Sequence, residues 1–315
     1  MAEPGPTRPR PPAARATIGV FCLSGVVEPE RLDEGVRRLE AEGHRVVLAE
    51  EARRQWRYFA GTDEERLAGF HRLLDDPSVD LMLAARGGYG LSRLLSAIDW
   101  ASVAAGGKAF VGFSDFTAFN CAALARAGLA SFHGPMLAAD FGDGEPDPFM
   151  VEHFRATLWG ARDRVAVAGA TGAPRGTIAG RAWGGNLSML AHLAGTPYLP
   201  AVDGGLLYVE EIDEQPYAIE RLFLQLHHAG VLARQSAILL GDFDGCRPTN
   251  AKRYPYAMAE VIETLRGLVA CPVLAGLPFG HVARKLTLPF GASALLAVEP
   301  DGYALSWEGL GSPGA

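Results

Sequence analysis

Short apolar runs alternate with amphipathic segments through the first half of the chain. The apolar runs predict buried strands at 17–23, 45–49, 80–85 and 108–113. The amphipathic segments predict helices at 28–42, 63–74, 93–98 and 117–127. Thr62 and Glu65 form a capping-box pattern at the start of the second helix. Because this alternation is typical of parallel βαβ units with helices on both faces of a sheet, we expect a three-layer α/β domain.

The pattern changes after residue 155. Glycine and proline accumulate over 155–175, as is typical of a loop between domains. We therefore predict an N-terminal domain at 17–160, a linker at 161–175 and a smaller C-terminal domain at 176–315. Within the C-terminal domain we expect strands at 205–212 and 237–243, a helix at 217–232, and antiparallel hairpins built from 285–291, 294–300 and 303–307. This second domain is thus expected to be mixed β/α.

Composition narrows the classes of protein. Five prolines within the first twelve residues predict a disordered tail over 1–16. The chain carries 29 Lys and Arg against 36 Asp and Glu, a net charge of −7. Without a basic cluster, it is not expected to bind nucleic acid. No apolar run approaches the roughly 18 residues of a membrane span, and the N-terminus lacks the apolar core of a secretory signal. We expect a cytoplasmic protein.

The cysteines are widely spaced and form neither a CxxC pair nor a cluster with histidine: Cys22, Cys121, Cys246 and Cys271. Their spacing excludes a dense disulfide framework and a recognisable zinc site. We expect buried free thiols in a reducing compartment.

A strand, a serine and a helix follow one another in Gly112-Phe113-Ser114-Asp115-Phe116-Thr117. The arrangement resembles a nucleophile elbow, in which a sharp turn exposes the serine hydroxyl at a helix N-terminus. Phe116 stands where the usual G-x-S-x-G pattern has its second glycine. A simpler interpretation is that Ser114 or Asp115 only caps the helix.

Three further features stand at the ends of predicted strands. Arg86-Gly87-Gly88-Tyr89-Gly90 is a glycine turn whose N–H groups could approach an oxyanion, or simply a turn. Glu210 and Glu211 end a strand, and alternation would send one to a cleft and the other to solvent. His281 lies in a loop after an apolar run and could equally be structural.

Together these residues suggest a catalytic triad in the chain order Ser114, Glu210, His281. A serine hydroxyl needs a base to take its proton, and the base needs a carboxylate to orient it. The serine would come from one domain and the acid and base from the other, so we expect the site in an interdomain cleft.

The sequence resembles the LD-carboxypeptidase family of serine peptidases (muramoyl-tetrapeptide carboxypeptidases). The resemblance spans about residues 17–300. The matching stretches are Ala85-Arg86-Gly87-Gly88-Tyr89-Gly90, Gly112-Phe113-Ser114-Asp115, His133-Gly134-Pro135-Met136, Gly184-Gly185-Asn186-Leu187-Ser188, Glu210-Glu211-Ile212 through Ile219-Glu220-Arg221, and Gly280-His281. The resemblance implies an N-terminal sheet like that of class I glutamine amidotransferases, a homodimer, and no metal or cofactor.

The resemblance also implies roles for individual residues. Ser114 would be the nucleophile and His281 the base, and the family pattern favours Glu210 over Glu211 as the acid. Backbone N–H groups of Gly88 and Asp115 would form the oxyanion hole. Candidate substrate contacts are Arg86, Trp183 and Asn186. Arg86 would meet the carboxylate of a terminal D-Ala or brace the glycine turn.

The implied substrate is a murein tetrapeptide in the cytoplasm, from which the enzyme would release terminal D-Ala. A related branch of the family cleaves peptide–nucleotide antibiotics or aminoacyl-adenylate-like compounds. For that branch Trp183 could stack on a nucleobase, or it could be a core residue. An alternative of another class is a muropeptide-binding protein without catalysis, against which the retention of Ser114, Glu210 and His281 argues.

Overall fold

The computed structural model describes residues 5–311. Its strands are β1 (Thr17–Phe21), β2 (Arg45–Leu48), β3 (Leu81–Ala84), β4 (Ala109–Gly112), β5 (Ser131–His133), β6 (Arg162–Ala168), β7 (Gly176–Asn186), β8 (Gly205–Ile212), β9 (Gln235–Asp244), β10 (Val273–Leu274), β11 (Leu288–Phe290), β12 (Ser293–Glu299) and β13 (Gly302–Glu308). Its helices are α1 (Pro29–Ala41), α2 (Asp63–Asp75), α3 (Trp100–Gly106), α4 (Thr117–Ala127), α5 (Pro148–Trp159), α6 (Leu187–Leu193), α7 (Pro216–His228) and α8 (Met258–Leu268).

The first sheet has the strand order β11-β5-β4-β3-β1-β2, in which β1 to β5 run parallel. Side chains on one face, such as Ile18 and Val20, pack with apolar residues of α1 and α5. Phe21 and Phe110 on the other face pack with α2, α3 and α4. These three layers confirm the predicted α/β domain and bring the carboxyl ends of its strands to one edge, where such sheets bind ligands.

The second sheet has the order β10-β9-β8-β7-β12-β13-β6. Strands β7 to β10 are parallel, whereas β12, β13 and β6 are antiparallel. This mixture confirms the predicted β/α character. Buried residues of β7 and β8 belong to the same apolar cluster as those of α4, so the two halves of the molecule share a core.

Two elements differ locally from the sequence prediction. Residues 93–98 do not form a helix; a 3₁₀ turn covers Leu91–Arg93, and its first N–H bonds to the Asp115 carboxylate. The helix begins later, at Trp100, because the Asp99 side chain accepts hydrogen bonds from the next N–H groups and caps it. The predicted capping box of α2 is present.

Three further segments differ from the prediction: the linker, the first strand of the expected C-terminal hairpins, and the N-terminal tail. Residues 161–175 are not a linker, because β6 pairs with β13 at the edge of the second sheet. Strand β11 does not form a hairpin with β12; its three buried residues pair with β5 in the first sheet. The disordered tail is wrong for residues 5–16, where Thr7 bridges to Leu129 and Arg8 bonds to Glu308. Residues 1–4 lie outside the described residues.

Candidate active site

Ser114 lies in the turn that follows β4, three residues before α4 begins. Its φ angle is +62°, a left-handed conformation that a residue with a side chain rarely adopts. The turn is also crowded, since a Cβ on Gly87 would stand 2.9 Å from the Ser114 Cβ. The glycine turn after β3 therefore packs directly against the serine, and the strained turn from β4 into α4 has the form of a nucleophile elbow.

Asp115 joins this turn to its neighbours. Its Oδ2 accepts a hydrogen bond of 2.6 Å from the Ser24 hydroxyl and one of 3.0 Å from the Leu91 N–H. Burial raises the pKa of the Asp115 carboxyl above its ordinary value, and the bond from Ser24 opposes that shift. The side chain thus ties the ends of β1, β3 and β4 together, and the glycine turn containing Gly88 is held beside Ser114.

The structure brings Ser114, His281 and Glu210 together. Nε2 of His281 lies 2.9 Å from Ser114 Oγ, and Nδ1 lies 2.7 Å from Oε2 of Glu210. Glu210 is fully buried at the end of β8, while His281 retains some exposure and packs edge-on against Phe113. With Nδ1 protonated, His281 donates to Glu210 and accepts from the serine hydroxyl, the polarity that activates a nucleophile.

Glu211 is also buried, contrary to the expectation that one glutamate would meet solvent. Its Oε2 accepts from the Ser188 N–H at 2.7 Å, in the first turn of α6. Asn186 lies between the two carboxylates, and its Nδ2 donates to Glu211 at 2.8 Å and to Glu210 at 3.2 Å. Glu211 therefore anchors α6 and Asn186, and Glu210 alone contacts the imidazole of His281.

A buried network behind the site joins the two halves of the molecule. Thr117 Oγ1 accepts from the Asn186 N–H at 3.0 Å and lies 3.1 Å from Nε2 of His133. Nδ1 of His133 lies 3.0 Å from the Tyr208 hydroxyl. Burial lowers the pKa of His133 to about 3, so its ring is neutral at physiological pH. A Cβ on Gly185 would stand 2.4 Å from that ring, which shows how closely β7 approaches.

The sequence motifs gave no role to this network. In the sequence, His133 stands out only as part of a family stretch, and neither Thr117 nor Tyr208 has a motif of its own. The sequence signal that could have indicated a role for Thr117 is its position three residues after Ser114, at the start of the predicted helix. The structure shows that this helix packs against β7 and α6.

The structure places the predicted substrate contacts differently. Arg86 is exposed beside the glycine turn and donates to the Val26 carbonyl. Trp183 is only 1% exposed, and its indole N–H donates to Gln235 Oε1 at 2.8 Å. Of the two alternatives for Trp183, the structure favours the core residue, because the apolar ring belongs to the core shared by both halves. Asn186 is buried beside the glutamates and supports them.

A cavity of about 490 Å³ opens beside His281. Its wall combines the Phe113 ring with charged side chains of both signs, among them Arg31, Asp140, Asp143 and Lys285. Lys285 pairs with Asp140 at 2.5 Å and lies 3.8 Å over the Phe113 ring. The cavity is thus large and polar enough for a small zwitterionic ligand.

Within residues 5–311, no three His, Cys, Asp or Glu side chains are grouped to hold a metal ion. None of the helices over the same range has both the length and the hydropathy of a membrane span. The four cysteines are free, and all except the half-buried Cys271 are buried.

Comparison with known proteins gives the family. Residues 18–134 match the LD-carboxypeptidase N-terminal domain, and residues 179–296 match the LD-carboxypeptidase C-terminal domain. The chain belongs to the LD-carboxypeptidase family. Murein tetrapeptide carboxypeptidase of Pseudomonas aeruginosa is 29% identical over 300 residues, covering 92% of this chain and 94% of that protein. As a member of this family, the chain is a serine-type peptidase.

Solved structures agree with this assignment. The crystal structure of muramoyltetrapeptide carboxypeptidase from Oxalobacter formigenes has a TM-score of 0.86 and 37% identity, covering 93% of this chain and 98% of that one. The microcin C7 self-immunity protein MccF, in complex with aspartyl sulfamoyl adenosine, has a TM-score of 0.87 and 25% identity, covering 96% and 99%. The MccF sequence from Escherichia coli is 28% identical over 343 residues, covering 97% of each chain. Both branches of the family therefore share this fold.

Proposed function

We propose that this LD-carboxypeptidase hydrolyses the L,D peptide bond of murein tetrapeptide and releases terminal D-Ala, in the cytoplasm, during peptidoglycan recycling. The observation that carries the proposal is the continuous hydrogen-bond chain from Ser114 Oγ through His281 to Glu210. The mixed charges of the adjacent cavity suit a peptide that bears both carboxylates and ammonium groups. The relatives named as murein tetrapeptide carboxypeptidases support the choice of substrate.

In the proposed mechanism Ser114 Oγ attacks the carbonyl carbon of the L-configured centre of the diamino acid, and Nε2 of His281 takes the hydroxyl proton. Glu210 stabilises the resulting imidazolium. The backbone N–H groups of Gly88 and Asp115 donate to the oxyanion. The C–N bond then breaks, and His281 returns its proton to the amine of D-Ala as it leaves.

The second half of the reaction removes the acyl group from Ser114. His281 takes a proton from water, the hydroxide oxygen attacks the ester carbon, and the ester C–O bond breaks. Ser114 recovers the proton, and the tripeptide leaves with a new carboxylate. We propose that Arg86 meets the D-Ala carboxylate, since its side chain is exposed and, among residues 5–311, donates only to the Val26 carbonyl, so that further N–H groups can bind the ligand.

Mass spectrometry of murein tetrapeptide incubated with the pure protein tests the proposal. We expect the loss of one alanine, with free D-Ala recovered in equal amount. An unchanged tetrapeptide after prolonged incubation would contradict it. Tight binding of the intact tetrapeptide without turnover would favour a muropeptide-binding protein instead.

A second candidate is cleavage of aminoacyl-nucleotide compounds, which the likeness to MccF favours. The burial of Trp183 removes the nucleobase contact first considered for this reaction. Turnover of the tetrapeptide and of an aminoacyl sulfamoyl adenosine should be compared under identical conditions, and we expect the tetrapeptide to have the higher kcat/KM.

We also propose a homodimer, as the family resemblance implies. Light scattering coupled to gel filtration should give twice the chain mass of 33.5 kDa. A mass of one chain at micromolar concentration would contradict this.

A further inference from the structure

Arg66, on α2, is a charged side chain that solvent does not reach, with an exposed fraction of 0%. A fully buried guanidinium is costly unless it is paired and hydrogen-bonded. Its Nη1 donates to the Leu23 carbonyl, and its Nη2 donates to the Asp63 carboxylate at 2.5 Å. The guanidinium also lies over the Phe59 ring, 4.7 Å from the ring centroid. The fold thus maintains a buried cation that no step of the proposed mechanism uses.

The guanidinium of Arg66 lies directly against the glycine turn after β3. A Cβ on Gly90 would stand 2.7 Å from Nη1 of Arg66. Gly90 has a φ angle of +136°, so the position requires glycine both for its backbone conformation and for this close approach. Leu91, the next residue, donates its N–H to the Asp115 carboxylate at 3.0 Å. Arg66 therefore limits the position of the turn that carries Gly88, one of the two proposed oxyanion donors.

Arg66 also holds the segment that follows β1, through its bond to the Leu23 carbonyl. The next residue along the chain, Ser24, donates its hydroxyl to the Asp115 carboxylate at 2.6 Å. The backbone N–H of Asp115 is the other proposed oxyanion donor. A single guanidinium thus contacts both segments that bond to the Asp115 side chain, the one after β1 and the one after β3.

The charge of Arg66 acts on Asp115 as well. Burial raises the pKa of the Asp115 carboxyl, whereas hydrogen bonds from Ser24 and Leu91 and the charges of Arg66 and His192 lower it. Hydrogen bonds to an ionised carboxylate are roughly twice as strong as those between neutral groups. By favouring the ionised form, the buried cation strengthens the two bonds that fix the position of Asp115.

We propose that Arg66 is a positioning residue for the oxyanion hole and acts through the Leu23 carbonyl and its close approach to Gly90. The inference rests on the proposed oxyanion donors, Gly88 and Asp115, and not on which peptide is the substrate. An oxyanion forms only after the serine attacks, so a displaced donor raises the energy of the transition state and leaves substrate binding nearly unchanged. Loss of the guanidinium therefore lowers kcat and leaves KM in place.

Steady-state kinetics of two variants test the inference. In Arg66→Met we expect kcat to fall about 10²-fold, the cost of a displacement of about 1 Å, with KM within about threefold of wild type. Arg66→Lys retains the charge but lacks the planar fork that bonds to Leu23 and Asp63 together, so its kcat should fall only about tenfold. Each kcat is divided by the fraction of chains that a fluorophosphonate labels at Ser114 on completion, which removes the effect of partial unfolding.

Arg93→Met is the matched control. Arg93 shares two partners with Arg66, since it bonds to the Asp63 carboxylate at 2.7 Å and lies 5.1 Å over the Phe59 ring. Within residues 5–311 no hydrogen bond joins it to Leu23. We expect kcat and KM within about twofold of wild type. An equal loss of kcat in Arg93→Met and Arg66→Met would assign the effect to the shared partners and overturn the inference.

The rate of fluorophosphonate labelling separates this inference from the proposed function, because phosphonylation of Ser114 also develops charge on an oxygen but needs no peptide. A wild type that is labelled yet releases no D-Ala contradicts the proposed substrate, while labelling at least tenfold slower in Arg66→Met still supports the inference. Undiminished labelling and kcat in that variant, or a loss carried by KM alone, would overturn it. If Arg66→Met does not fold, Arg66→Lys decides, and a kcat equal to that of wild type would overturn the inference.

Discussion

The two sides of the active site are held by different kinds of interaction. Ser114 depends on backbone geometry, with its left-handed φ angle and the close packing of Gly87. His281 and Glu210 depend on side-chain hydrogen bonds, which continue through Asn186. We infer that the nucleophile side is sensitive to added volume, whereas the acid–base side is sensitive to the loss of single polar atoms.

The largest effect is expected where the two sides meet. Ser114→Ala removes Oγ, the nucleophilic atom that the turn positions and His281 activates. We therefore expect kcat to fall by about 10⁶ while the protein stays folded. Circular dichroism and thermal unfolding should match wild type, and the assay is D-Ala release. Activity within a hundredfold of wild type would show that another nucleophile acts.

The second effect distinguishes the two adjacent glutamates. Glu210→Gln should lower kcat by about 10⁴, because the amide cannot stabilise the imidazolium. Glu211→Gln should retain most of kcat but lower the free energy of unfolding by about 1–3 kcal/mol, since a buried acceptor of the Ser188 N–H or the Asn186 amide is lost. An inactive Glu211→Gln beside an active Glu210→Gln would reverse the assignment of the acid.

The third prediction tests whether a single methyl group added beside Ser114 displaces the serine and lowers the rate. Gly87→Ala adds a methyl group 2.9 Å from the Ser114 Cβ and must displace the serine. A shift of about 1 Å costs about 10² in rate, so we expect that loss in kcat, measured as D-Ala release. Gly267→Ala on α8 is the control, since a Cβ there meets nothing within 4 Å. If Gly87→Ala kept full activity, the packing of the turn would not determine the position of Ser114.

A smaller effect is expected at the hydroxyl that connects the two sides. Thr117→Val keeps the shape but removes the acceptor for the Asn186 N–H and the partner of His133. We expect the free energy of unfolding to fall by about 1–3 kcal/mol and kcat to fall severalfold as Asn186 shifts. Thr117→Ser retains the hydroxyl and should restore both values, measured by urea unfolding and D-Ala release. Failure of the serine variant to restore kcat would contradict the hydrogen-bond role.

The smallest effect on activity is expected at Glu51, a buried carboxyl outside the site whose oxygens have no hydrogen-bond partner among residues 5–311. Burial raises its pKa from 4.5 to about 7. The folded state therefore binds the extra proton between these values, and the free energy of unfolding falls as the pH rises from about 4.5 through 7. Glu51→Gln should remove that decline without changing kcat, as followed by urea unfolding at several pH values. Glu40→Gln, on the exposed surface of α1, should leave the decline intact; a decline that persists in Glu51→Gln would refute the assignment.

The sequence predicted most accurately what depends on local pattern. The bounds of α4 and β8 agree with their predicted ranges, because Gly128 ends the helix and a continuous apolar run marks the strand. The return of β11 to the first sheet and the contact of His133 with Tyr208 were not predicted. Each of these depends on how strands distant in the chain lie against one another, which hydropathy patterns do not encode.

The central claim is that the imidazole of His281 activates Ser114. Labelling with a fluorophosphonate, followed by peptide mapping, tests this most directly, because the reagent reacts far faster with an activated serine hydroxyl than with other side chains. We predict one phosphonyl group per chain, located on Ser114, and labelling at least a hundredfold slower in His281→Ala. Modification at another residue, or an undiminished rate at Ser114 in His281→Ala, would contradict the account.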